Sequence, residues 1–198
     1  MRRRMRFSTI SATLPVEEWN AEAGFFRFGL PQGWHSSSLV LPPEPDSGVL
    51  TGVTNWQTGD PRAGELPETP RPYLCMFVLD MLSLSGPEAV REIEQIFSDP
   101  DGLARYRAGC LGQRPMGTSA RILLDGSRAV LLHYAGWDHA YGCGSDKVNI
   151  GRSEVFTLAP GDRPLLVMYQ GALEQHQRCL PELNTMLGTW QWLAGYRD

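Results

Sequence analysis

Between His133 and Lys147 the chain reads HYAGWDHAYGCGSDK, a concentration of groups able to ligate metal or move protons. Imidazole and thiolate are the usual zinc ligands, so His133, His139 and Cys143, with Asp138 or Asp146, form one candidate metal set. The spacing matches no standard zinc motif. Cys143 between Gly142 and Gly144 is also a candidate nucleophile, with His133 or His139 as its base and glycine N–H groups free to approach an oxyanion. No helix start or cation accompanies it to lower the thiol pKa. Trp137, His139 and Tyr141 suit a recognition rim, because aromatic side chains contribute large contact area with few rotors to freeze. The plainest reading is a glycine-hinged turn whose polar groups face water.

The remaining reactive residues are scattered. His35 follows a turn beside Trp34, and His176 is three residues from Cys179 on an expected helix surface, where a metal pair is the alternative. Cys75 lies in an apolar strand, and Cys110 and Cys179 lie on apolar helix faces, where cysteine acts as a small hydrophobe. With no CxxC pair in the chain, free thiols are expected rather than disulfides or a zinc knuckle. Trp190 falls on a core stripe, whereas Trp192 points elsewhere, toward a second contact surface. GxGxxG, P-loop, GxSxG and HExxH patterns are absent, which removes the commonest nucleotide loops, the nucleophile elbow and the zincins.

The elements that must position these groups follow from periodicity. GFFRFGLPQGW alternates Phe26, Phe28 and Leu30 before a Pro31–Gly33 turn, which predicts a strand. SSLVL and GVLTGVTNW read as a hairpin around PPEPDSG. PYLCMFVLDML is apolar throughout, as a central strand covered on both faces requires. SGPEAVREIEQIF carries a capping-box pattern at Ser85 and Glu88 and a helical face of Val90, Ile93 and Phe97. A second helix carries Leu103, Tyr106 and Cys110 and closes at Gly112. Asp125-Gly126 between apolar runs is the strongest hairpin signal. KVNIGRSEVFTL and LLVMYQG complete a meander, and residues 172–193 make a terminal helix interrupted near Pro181. Residues 57–72, with four prolines, form an exposed loop.

At 198 residues the chain suits one domain with a self-sufficient core. A net charge of −4 excludes broad nucleic-acid binding, which needs many cations to displace counterions. The MRRRMR start is a local exception, read as a solubilising terminus, and 17 of the 18 basic residues being arginine reads as compositional bias. No stretch has the roughly 20 apolar residues of a membrane span, and FSTISATLPVEEW after the first arginines does not supply the roughly 7–15 apolar residues of a secretory signal. A cytoplasmic protein is expected, or an exported one if a leader has been removed.

FFRFGLPQGW at 25–34, LLDGSRAVLLHY at 123–134 and LPELNTMLGTWQWL at 180–193, in this order of elements, resemble the Mog1/PsbP-like superfamily and its related bacterial domains of unknown function. The resemblance implies an α/β/α sandwich. It also implies a binding module, since members serve as extrinsic photosystem subunits, a factor acting on the Ran GTPase, chaperones for secreted effectors, and lipoproteins. It carries no catalytic residues to this chain. The expected architecture is therefore α+β: a lead-in arm at 1–23, then one domain at 24–198 with a mainly antiparallel sheet flanked by helices. The expected function is a non-catalytic protein-binding or chaperone-like adaptor, linked to a secretion system or membrane complex. Its partner would be a protein or peptide met by Trp137, His139 and Tyr141, with no cofactor, metal or catalytic residue. The alternatives are a small metal- or thiol-dependent enzyme centred on Cys143 and His139, and a structural subunit of a larger assembly.

Overall fold

The computed structural model describes residues 6–21, 23–36, 48–55, 74–110, 112–139 and 147–193; within these, the side chains of Leu84, Asp138, His139 and Lys147 are not described. The expected loop at 57–72, the SSLVL strand, Tyr141 and Cys143 lie outside them. In chain order the elements are β1 (Ser8–Thr9), β2 (Glu18–Asn20), β3 (Phe26–Leu30), β4 (Trp34–Ser36), β5 (Val49–Asn55), β6 (Leu74–Asp80), α1 (Met81–Ser85), a 3₁₀ turn (Gly86–Glu88), α2 (Ala89–Ser98) and α3 (Pro100–Cys110). They continue with β7 (Gln113–Pro115), β8 (Ala120–Leu124), β9 (Ser127–His139), β10 (Lys147–Ala159), β11 (Arg163–Ala172), α4 (Leu173–Arg178), α5 (Leu180–Gly188) and β12 (Gln191–Trp192).

Nine strands form the main sheet in the order β1-β8-β9-β10-β11-β6-β5-β4, with β7 also pairing β9. Every pairing is antiparallel except β1 with β8. The Asp-Gly signal forms the expected hairpin: Asp125 and Gly126 both take positive φ, the geometry a two-residue turn needs to match strand twist. LCMFVLD is buried almost throughout, as its composition requires, yet the centre of the sheet falls at β10 and β11, with β6 flanking them. Side-chain alternation on these strands creates two faces. One packs under α4, α5 and a three-stranded sheet, β12-β3-β2, through Val155, Val167, Leu187 and the stacked rings of Phe26, Phe28 and Trp190. The other packs under α2 and α3 through Val130, Leu132, Phe156, Ile93 and Phe97. The α+β sandwich expected from the sequence is the observed architecture.

Three expectations change. The helix after β6 starts at Met81 rather than Ser85, because the Asp80 carboxylate accepts from the Leu82 N–H and caps it there; Ser85 makes no cap bond, and Gly86 at φ 61° ends that first turn. The terminal helix stops at Gly188, since Gln191 and Trp192 pair with Arg27 and Phe26 instead. Trp192 is thereby tied inward, its indole N–H donating to Leu124 O, and offers no second contact surface. Cys110 is exposed rather than on an apolar face, while Cys75 and Cys179 are buried free thiols; burial pushes the Cys75 thiol up to about 12.

Candidate partner-binding cleft

α2 and α3 diverge over the sheet and leave between them a cleft of about 610 Å³. This volume lies within the roughly 300–1,000 Å³ of ordinary ligand pockets. Phe156 of β10 and Leu166 of β11 form its floor, with Met81, Ile96 and Leu103 as walls. The divergence is set by Asp99. Its position breaks the helical run before Pro100, and its carboxylate accepts from the Gly102 N–H, capping α3 in a new direction. Asp101 then fastens α3 to the sheet side by accepting from both the backbone N–H and the hydroxyl of Ser119, which holds its carboxyl below the ordinary range. Tyr106 stands at the lip with 70% of its surface exposed, unusual for an aromatic ring beside an apolar hollow.

Beneath the α3 side of the cleft lies an ion pair. Arg107 donates through Nε and Nη2 to the two carboxylate oxygens of Glu154, at 2.6 and 2.8 Å, and its guanidinium lies 5.2 Å from the Phe156 ring centre. Glu154 is 2% exposed and Arg107 32%, so the carboxylate is the desolvated partner. Burial works against the Arg107 charge, but the bidentate bond and charge of Glu154 outweigh it and raise its pKa. The neighbouring Tyr134 hydroxyl is pushed up by burial and then by the Glu154 charge. The pair therefore presents a neutralised cation to the cleft.

The rim read from the sequence lies elsewhere. His139 and Trp137 belong to β9, paired with Lys147 and Asn149, so the strand runs six residues beyond His133 and Trp137 is not part of a loop. The reason is Gly136. It is a packing glycine rather than a hinge, because a Cβ there would sit 2.9 Å from Gln113 Cα where β7 crosses close to β9. Trp137 is 66% exposed, and strand alternation puts it on the α4/α5 face, opposite the cleft. Of the three expected rim residues, it alone has a described side chain. Among the described residues no group of three or more His, Cys, Asp or Glu side chains is gathered as a metal site.

His133 converges with His176 through Ser153. Its Nδ1 lies 2.7 Å from Ser153 Oγ, which lies 2.8 Å from Nε2 of His176 on α4. His176 is 1% exposed, so the expected helix-surface position is corrected: α4 crosses β10 at Gly151, where a Cβ would stand 2.5 Å from the imidazole. Only glycine admits that ring. Burial lowers the pKa of both histidines, His176 to about 4 with His133 adding to the effect, so both are neutral near pH 7. Nδ1 of His176 has no hydrogen-bond partner among the described residues. An unpaired acceptor costs less than an unpaired N–H, so His176 carries its proton on Nε2 and donates to Ser153, which donates to His133 Nδ1. Ser153 is itself 1% exposed beneath α4, which seals its hydroxyl from substrate. This relay positions α4. Its sequence signal was Gly151, a glycine inside a long strand, and that pattern marks a close approach without naming what approaches.

No family model matches the chain, and no curated protein matches it. Among the solved structures similar to it are the two that follow. The crystal structure of LpqN, involved in cell envelope biogenesis of Mycobacterium tuberculosis, shares 14% identity over 84% of this chain and 82% of that one, with a TM-score of 0.45. The solution structure of cyanobacterial PsbP from Synechocystis sp. PCC 6803 shares 11% over 89% and 92%, with a TM-score of 0.43. At these scores the likeness is one of layout, and it carries neither function nor partner to this chain.

Proposed function

We propose that the protein is a non-catalytic binding module that captures an apolar segment of another protein between α2 and α3. The observation that carries this reading is the cleft itself: about 610 Å³ over an apolar floor of Phe156 and Leu166, with Tyr106 exposed at its lip. A hollow lined this way gains from any apolar side chain that displaces its water, at about 25 cal/mol per Å² buried, and Tyr at a rim is a common anchor for a partner. The two buried polar clusters on β10 support the same reading, because each is consumed in holding a helix. Trp137, with His139 and Tyr141 beyond it, is proposed as a separate contact on the other face.

Panning a displayed library of random peptides on the immobilised full chain tests this. Peptides with an apolar anchor should be enriched, and they should lose most of their binding to Leu103→Gln, which keeps the volume of the wall but not its character. A library that yields no binders, or binders indifferent to Leu103→Gln in a variant that melts like the parent, would refute it.

A further inference from the structure

Resting on that reading of the cleft, the charges around it say which apolar segments it prefers. The cation that lines it, Arg107, has its charge matched by Glu154 through a bidentate bond. Two carboxylates line it as well, Glu92 of α2 and Asp99 at the start of α3. Glu92 is exposed and makes no ion pair among the described residues, in contrast to its helix neighbours: Glu88 pairs with Arg91 at 2.8 Å, and Glu94 with Arg128 at 3.0 Å. Asp99 is exposed too. One of its oxygens accepts from the Gly102 N–H, and no cation among the described residues is paired with it. On α3 the next acidic group, Asp101, turns to Ser119 with Arg105 nearby and does not line the cleft. The mouth therefore carries two negative charges over an apolar floor whose cation is already neutralised.

We propose that the cleft selects a partner segment in which an apolar side chain is flanked within one or two residues by Lys or Arg. The apolar side chain enters over Phe156 and Leu166, while the flanking cations stand at the rim opposite Glu92 and Asp99. An acidic segment of the same shape meets repulsion from both carboxylates, and among the described residues lining the cleft no unpaired cation offsets it. Both rim groups are in water, so each attraction is modest and screened by salt. The selectivity is accordingly a matter of several-fold differences, which suits sorting among partners better than it suits tight capture.

Three blocked peptides with one Leu-Phe core, flanked on both sides by Lys, by Gln or by Glu, provide the test on the full chain, read by the methyl resonance of Met81 and by titrated affinity. The expected order is Lys over Gln over Glu. The Lys peptide should bind roughly fivefold tighter than the Gln peptide at low salt, and the advantage should disappear at high salt and in the Glu92→Gln/Asp99→Asn double variant. Asparagine retains the cap on α3, and both substitutions keep the side-chain shape, so fold and cleft survive them. Equal binding of all three peptides would overturn the charge selectivity and leave the cleft reading standing. A Lys preference that survives the double variant would also overturn it, by placing the selecting charge elsewhere. If none of the three moves the Met81 resonance, the cleft reading fails and this inference falls with it.

Discussion

Ser153 and Glu154 are consecutive on β10, and they point to opposite faces of one sheet. On the α4 side, Ser153 links two neutral histidines under a helix that presses onto Gly151. On the α3 side, Glu154 holds an arginine whose outer part borders an open cleft. Both are buried polar groups fully used for positioning a helix, but one face is closed over its cluster and the other is left unfilled. The difference lies in the helices. α4 and α5 meet the sheet together with a second, three-stranded sheet, whereas among the described residues α2 and α3 meet it with Met81 of α1 and no second sheet, and splay at Asp99. A protein that only had to be stable would have filled the second face as it filled the first.

The contrast can be broken most forcefully at Glu154. Glu154→Ala strands a partly buried guanidinium and should lower unfolding free energy by roughly 3 kcal/mol in urea titration. Replacing both partners, as in Arg107→Met/Glu154→Met, should recover most of that loss, since an apolar pair has no desolvation to offset. If the double variant is as weak as the single one, the pair does more than hold α3.

On the other face the corresponding lever is pH. His176 titrates near 4 when folded and near 6.5 when unfolded, so between those values the unfolded chain binds more protons. Its contribution is complete above about pH 6.5 and is lost as pH falls toward 4, amounting to roughly 2–3 kcal/mol. His133, also lowered, adds in the same direction. Denaturation followed from pH 7 to 4 should show this slope, and His176→Phe should flatten it. An unchanged slope in that variant would assign the acid sensitivity to carboxylates instead.

A smaller effect is expected at Gly151→Ala, where the added methyl must displace the imidazole and, with it, α4. A loss of roughly 2 kcal/mol is expected, with little change in peptide binding at the opposite cleft. Smallest of all is Tyr106→Ala. Its thermal midpoint should stay near the parent's, because the ring is mostly in water, with a stability change within about 0.5 kcal/mol, while affinity for an apolar peptide drops. A Tyr106 variant that unfolds readily would mean the lip is structural.

Sequence patterns reached the architecture because the patterns that define it are local. Alternation in Phe26, Phe28 and Leu30, the Asp125-Gly126 turn and the unbroken apolar run of β6 each declare an element without reference to the rest of the chain. The boundaries that failed depended on distant partners. Ser85 looked like a cap, but Asp80, placed by its strand, capped first. Trp192 stood on the expected terminal helix, off its core stripe, but a strand more than 160 residues earlier drew it away. The site was harder for the same reason. The HYAGWDHAYGCGSDK cluster is conspicuous because its reactive residues are adjacent in sequence, whereas the cleft draws Met81, Leu103, Phe156 and Leu166 from four elements. His133 stood out in that cluster, but its link to His176 was out of reach of sequence, since only the crossing of α4 over Gly151 brings His176 to it.

The pairing of β12 with β3 bears on how the chain can be made. β3 has β2 on one side and Gln191–Trp192 on the other, and Trp192 further binds the Asp125 carboxylate through its backbone N–H and Leu124 O through its indole. Residues from the first, middle and last parts of the chain thus meet at one corner. During synthesis β3 emerges about 160 residues before its β12-side neighbour, so Phe26 and Phe28 lack Trp190 until that further length has been made. Trp190 and β12 are the latch on β3, and the nascent chain must lengthen by about 160 residues with that latch undone.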